Sequence, residues 1–290
     1  VNANSAPQPE DLVVAVDGSP ASNTALQWAA QHAKTTGASL HLATVMWIPE
    51  GSFSTETELR PVYERVLEDA EAVVRRTAPG AAVTSRIARG VPAATLVEAS
   101  KTASLLIMGS DKSSRMEGLT YGTLPLRVAA RSHCPLVVVP GSWTPLEGPV
   151  LLCVGENEQG HAPEAFAIQQ ATVRKAPLDL IHVWAASPIY PAQFSDTGLV
   201  YESMKESHRQ VLSGAAEYIR SANPDLEVRE ILREGRRLPP LVEAGERSQL
   251  MVIGRHGTGI LRELLMGATA HDVLLNPPCP VAVVPMAEAN

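Results

Sequence analysis

At 290 residues the chain exceeds the usual size of one hydrophobic core and suggests two domains, while no run of about 18 apolar residues reads as a membrane span. Its 24 basic and 31 acidic residues give a net charge of −7, which excludes nucleic acid as an expected partner and leaves room only for a local basic spot beside a small phosphate ligand. Cys134, Cys153 and Cys279 form no CxxC pair and cannot complete a disulfide framework, so they read as small buried apolar residues.

In chain order, residues 1–10 are polar, with neither a basic n-region nor an apolar h-region. They read as a loose tail, not a signal peptide, and the expected compartment is the cytoplasm. Leu12–Val16 is a first strand. Asp17-Gly18-Ser19-Pro20 follows as a turn, with Ser19 as helix N-cap and Pro20 at the first helical position. Ala25, Trp28, Ala29, His32 and Ala33 share one face of that helix, which makes Trp28 a core residue. Leu40–Val45 is a second strand, and the weaker alternation of Ala82–Ala88 a third. Pro92–Lys101 reads as a helix, Leu105–Met108 as a strand, Thr123–Arg131 as a helix and Leu136–Val139 as the last strand. Short, nearly continuous apolar runs of this kind belong to parallel strands covered on both faces. The charge-rich stretches 64–76 and 202–209 read as solvated helix faces.

The pattern then repeats. Asp17 and Val45 have counterparts at Gly155 and Val183, both 138 residues on. Leu105-Leu-Ile-Met-Gly109 and Cys134-Pro-Leu-Val-Val-Val-Pro140 return as Leu250-Met-Val-Ile-Gly254 and Cys279-Pro-Val-Ala-Val-Val-Pro285, both 145 residues on. The change of offset implies an insertion in the second copy, in a stretch containing Pro188, Tyr190, Pro191 and Phe194, which reads as a longer loop. The expected organisation is a tail at 1–10, a first domain at 11–146 that takes in the start of a turn-rich linker at 141–148, a second domain at 147–287 and a tail at 288–290.

Each copy has the order β-α-β-α-β-α-β-α-β. This predicts an α/β fold: two tandem, doubly wound, mostly parallel five-stranded sheets of Rossmann-like type with right-handed crossovers. Ligands of such sheets bind beyond the carboxyl ends of the strands where the strand order reverses, which directs attention to the segments after Val16, Val45 and Met108. The fourth strand of the first copy runs into a loop from Gly109 to Gly122 and Thr123. Its counterpart runs from Gly254 through Gly257 to Gly267 and Ala268. A loop that leaves a buried strand and ends at a helix N-terminus can offer several N–H groups to a phosphate, and glycine lets the backbone come close.

The turn Asp17-Gly18-Ser19-Pro20, with Ser22 and Ala25-Leu26 behind it, the glycine loops, and the Cys-Pro-Val-type fifth strand present in both copies together resemble the universal stress protein family. That family has an Asp-Gly-Ser turn after the first strand and a loop of form G-x2-G-x9-G-S/T after the fourth. The resemblance covers essentially the whole chain apart from the tail and linker, in tandem form. It implies ATP, or a related adenine nucleotide, as a regulatory ligand, with Mg ion only where ATP is bound. The first-turn Asp and the backbone after the second strand would hold the adenosine, and the glycine loop the phosphates. By position, the implied site residues are Asp17, Val45, Gly109, Gly122 and Thr123 in the first copy and Val183, Gly254, Gly257 and Gly267 in the second. Lys112 replaces the second loop glycine of the first copy, where an ammonium would stand beside phosphate. In the second copy Gly155 replaces the Asp and Ala268 the hydroxyl residue, so the first copy is the better preserved. The resemblance also implies pairing of fifth strands, here between the two copies as a pseudo-dimer, with a homodimer of whole chains as a further step.

Other chemistry finds less support. The histidines lack metal-ligand spacing. His182 reads as a structural histidine at the end of a buried strand, and His256 as a phosphate contact within the second loop. Neither a nucleophile elbow nor a P-loop is present, and Ser19 reads as a cap. Slow ATP hydrolysis is the one enzymatic reading, with no catalytic constellation to carry it. The alternative to nucleotide binding is a nucleotide-free interaction scaffold with degenerate sites.

Overall fold

The structure is a computed structural model that describes residues 11–48, 55–110, 115–116, 119–120, 124–155, 161–185, 197–255 and 266–286. The chain divides into two compact units, Val1–Trp143 and Thr144–Asn290.

In the first unit β1 (Asp11–Ala15), α1 (Pro20–Thr36), β2 (Ser39–Met46), α2 (Glu56–Thr77), β3 (Val83–Arg89), α3 (Pro92–Ala99) and β4 (Leu105–Ser110) follow one another. Two short strands come next, β5 (Arg115–Met116) and β6 (Leu119–Thr120), then α4 (Leu124–Ala129) and β7 (Leu136–Pro140). The order within the sheet is β7-β4-β1-β2-β3, and every pair is parallel. Helix α1 packs against α2, and α3 against α4, as expected of helices distributed over the two faces of a doubly wound sheet. β1, β4 and β7 are buried nearly throughout. The edge strand β3 is the most exposed of the five, consistent with its weak apolar pattern.

The helix ends follow local chemistry. Ser19 caps α1 by accepting from the Ser22 N–H at 3.1 Å. Gly37, in the left-handed conformation at φ 75°, closes the helix by donating to the Ala33 carbonyl, and that conformation costs glycine little. Thr55 and Glu58 form a capping box on α2. Within α2, Glu56, Arg60 and Glu64 form ion pairs at four-residue spacing, and the hydrogen bond from Arg60 holds the Glu56 carboxyl below its ordinary pKa. Trp28 lies in the core, stacked on His32 at 5.4 Å.

The second unit repeats the plan with β8 (Val150–Cys153), α5 (Ala162–Arg174), β9 (Leu178–Trp184), α6 (Thr197–Ala222), β10 (Val228–Glu234), α7 (Leu238–Gly245), β11 (Leu250–Arg255), α8 (Ala268–Leu275) and β12 (Val281–Pro285). Its order is β10-β9-β8-β11-β12, again parallel. Both sheets are of the doubly wound, parallel α/β type expected from the apolar runs.

Some details differ from the sequence expectation. Helix α3 stops at Ala99 and α4 spans only Leu124–Ala129, because the flanking residues close the ends by turns: the Ser100 N–H bonds the Leu96 and Val97 carbonyls, and Ser132 N–H the Val128 carbonyl. The antiparallel β5–β6 pair falls within what reads in sequence as the glycine loop. The inserted stretch with Pro188, Tyr190, Pro191 and Phe194 lies outside the described residues. Among the described residues, no helix is long and apolar enough to cross a membrane.

Candidate functional site

In the first unit the chain runs outward from β1 to β2 and β3 on one side, and from β4 to β7 on the other. The strand order therefore reverses between β1 and β4, and the crevice lies beyond their carboxyl ends. Asp17 stands there, exposed, directly after β1. Its carboxylate Oδ1 accepts from the Ser19 N–H at 2.9 Å, and its own N–H donates to Ser22 Oγ at 3.1 Å. Gly18, between them, has φ 80°. One carboxylate oxygen is thus fixed to the turn while the group as a whole faces solvent. Ser22, itself buried, holds both the turn and the start of α1. In sequence it is only part of the family pattern, and this anchoring role is not visible there.

Gly109 closes the other side of the crevice. A Cβ on it would lie 2.4 Å from the carbonyl carbon and oxygen of Ala21 and 2.8 Å from the Ser22 nitrogen, so glycine is needed for β4 to approach the first turn of α1. Val45, half-buried near the end of β2, occupies the strand end next to β1. Asp17, Val45 and Gly109 are therefore brought to the same end of one sheet. Lys112, Gly122 and Thr123 lie outside the described residues.

In the second unit the equivalent reversal lies between β8 and β11. Gly155 follows β8 where Asp17 follows β1, and Gly254 and Arg255 end β11. Val183 is buried in β9. Gly267 is the N-cap residue of α8 and supplies no side-chain hydrogen bond to the helix. Gly257 and His256 lie outside the described residues. His182 is buried, with Nδ1 at 2.8 Å from the Val154 carbonyl oxygen and Nε2 at 3.0 Å from His208 Nδ1. A carbonyl only accepts, so Nδ1 of His182 carries the proton and Nε2 accepts from His208. The His208 ring also stacks on Trp184 at 4.9 Å. His182 is thus a structural histidine with both ring nitrogens used.

Two electrostatic features stand out. Burial pulls the Arg255 guanidinium below its ordinary pKa, a residue that sequence reading passes over because it is one polar position inside a glycine loop. Burial also raises the Cys134 thiol and pushes Cys279 up to about 12, which leaves both thiols protonated at neutral pH and inert as nucleophiles. Among the described residues, no group of three or more His, Cys, Asp or Glu could hold a metal ion.

The family model for the universal stress protein family matches residues 10–140 and again residues 148–285. The chain belongs to the universal stress protein family. Two universal stress proteins of Mycobacterium tuberculosis are similar to it along most of their length. One is 24% identical over 298 residues, covering 94% of each chain. The other is 26% identical over 287 residues, covering 94% of this chain and 95% of the relative. Among solved structures, a universal stress protein from Archaeoglobus fulgidus DSM 4304 matches 96% of this chain and 97% of its own, with a TM-score of 0.68 at 18% identity. That likeness supports the fold. The two matched segments also show that this universal stress protein carries the family domain twice.

Proposed function

We propose that the first unit binds an adenine nucleotide, ATP foremost, as a regulatory ligand in the crevice beyond β1 and β4. The observation that carries this reading is the Asp17 carboxylate: exposed, fixed through Oδ1 to the Ser19 amide at 2.9 Å, and placed where the strand order reverses. A carboxylate held in this way can accept hydrogen bonds from the hydroxyls or amino group of a nucleoside. Gly109 allows the neighbouring strand end to pack close beside it. The phosphates would extend towards the glycine loop, with Lys112, Gly122 and Thr123 as their proposed contacts and Mg ion entering only with ATP. The protein's part is binding and orientation, since no group is placed to activate a water.

Equilibrium dialysis of the intact protein against ATP tests this. Binding at millimolar nucleotide or tighter is expected, weakened about tenfold or more by Asp17→Ala through loss of hydrogen bonds to a charged group. An affinity unchanged by Asp17→Ala would remove the assignment.

The second reading, a nucleotide-free interaction scaffold, is favoured by one observation confined to the second unit: Gly155 puts no side chain where Asp17 stands. ATP retained through purification and bound by the protein would exclude it for the chain as a whole.

A further inference from the structure

The two units differ in the sign of the charge at the strand reversal. In the first unit β1 and β4 pair with Val14 opposite Ile107, and continuing that register sets Asp17 opposite Ser110. In the second, β8 and β11 pair with Cys153 opposite Ile253, and continuing that register sets Gly155 opposite Arg255. An acidic side chain facing a hydroxyl is thus replaced by a bare backbone facing a guanidinium.

The direction of Arg255 follows from strand alternation, because successive residues point to opposite faces. A Cβ on Gly245 of α7 would lie 2.7 Å from the Met251 Cε, so Met251 points to the face covered by α7. Arg255 has the same parity as Met251 and leaves the sheet on that face. Helix α8 packs against α7 on the same side. Because α8 connects the end of β11 to the start of the parallel strand β12, its N-terminus lies at the carboxyl end of the sheet. The first turn of α8, capped by no side chain, therefore lies at the same end and on the same face as the guanidinium. Unmatched N–H groups and the positive end of the helix dipole add to the positive field there. Arg255 is also partly withdrawn from water: burial lowers its pKa from the ordinary value. A cation held in that state gains from an anionic partner more than an exposed one does.

We propose that the second unit is a polyphosphate-anion site, with Arg255 as the residue that selects charge, and that it binds the phosphate portion of its ligand without the carboxylate that would read a nucleoside. Arg255 presents a planar fork suited to two phosphate oxygens, and Gly155 leaves the space beside it without a competing negative charge. This rests on the same assignment of strand-end crevices as ligand sites, but gives the two units different ligand classes.

Calorimetric titration of the full chain with inorganic tripolyphosphate is the test. Binding at millimolar concentration or tighter is expected. It should fall tenfold or more in Arg255→Ala, recover in part in Arg255→Lys, weaken in Gly155→Asp, and persist in Asp17→Ala. Thermal melts of each variant establish that the fold is retained. No binding of tripolyphosphate by the wild-type chain, an Arg255→Ala variant that binds as the wild type does, or an equal loss in Asp17→Ala would each overturn the proposal. ATP binding by Asp17→Ala reports on the first unit alone, so failure of the nucleotide assignment there is distinguishable from failure of the anion assignment here.

Discussion

A Cβ placed on Gly109 would lie 2.4 Å from the carbonyl oxygen of Ala21. The obstacle is backbone in the first turn of α1, so no side-chain rotation relieves it. Gly109→Ala must push α1 away from β4 or bend the strand end. Overpacking of this kind costs about 1–3 kcal/mol, read as a lower urea midpoint with an unchanged slope. Because the displaced turn also carries Ser22, which accepts from the Asp17 N–H, ATP affinity should fall with it.

Ser19 and Ser22 sit three residues apart and have separable effects. Ser22→Ala removes the acceptor of the Asp17 N–H at 3.1 Å, at a cost of about 0.5–1.5 kcal/mol, and loosens the turn that presents the carboxylate. Ser19→Ala removes the cap of α1, at about 1 kcal/mol, but keeps the backbone N–H that holds Asp17 Oδ1. Chemical denaturation should show similar losses for both, while nucleotide affinity falls more in Ser22→Ala. Equal affinities would show that the turn keeps its shape without Ser22.

The fold was legible because its signals are repeated and local. The buried runs at 12–16 and 105–108 have the strength of strands covered on both faces, and each returns in the second copy at a fixed offset. The first-unit turn was legible for the same reason: Asp, Gly, Ser and Pro each have a specific task at consecutive positions. What the sequence hid are relations across the sheet. That Gly109 must be glycine depends on Ala21, 88 positions away in the chain. That Arg255 faces α8 depends on strand parity fixed by a contact between Met251 and α7. The histidine pair was hidden too, since His208 lies on an exposed-looking charged helix and meets His182 only once α6 covers β9.

Cys279 links burial to alkaline stability. Its thiol is pushed up to about 12 in the folded protein by desolvation, whereas an unfolded cysteine titrates near ~8.5. Above that lower value the unfolded chain releases the proton and the folded chain keeps it. The unfolded state then binds fewer protons, so stability falls as pH rises, by about 1.4 kcal/mol per pH unit, until the folded pKa is reached. The contribution is fully present below the unfolded pKa. Denaturation midpoints measured from pH 8 to 10.5 should therefore decline more steeply for the wild type than for Cys279→Ala. Parallel slopes would show that the thiol is not desolvated in the native state.

Glu164 presents the reverse case, a charge where the first unit has an apolar side chain. It lies 138 residues after Leu26, which is fully buried in α1. Glu164 is 4% exposed in the first turn of α5. Its Oε1 is 3.6 Å from His161 Nδ1, too far for a hydrogen bond, and Oε2 has no hydrogen-bond partner. A buried unsatisfied polar group costs about 1–3 kcal/mol. The compensating attraction of a carboxylate to the helix N-terminus contributes only about 0.3–1 kcal/mol. Glu164→Leu should therefore raise the denaturation midpoint by an amount equivalent to about 1 kcal/mol or more. Glu164→Gln, which removes the charge but keeps a polar end, should gain less. A loss of stability in Glu164→Leu would mean that the buried carboxylate makes a favourable interaction in solution, and α5 would then owe part of its position to it.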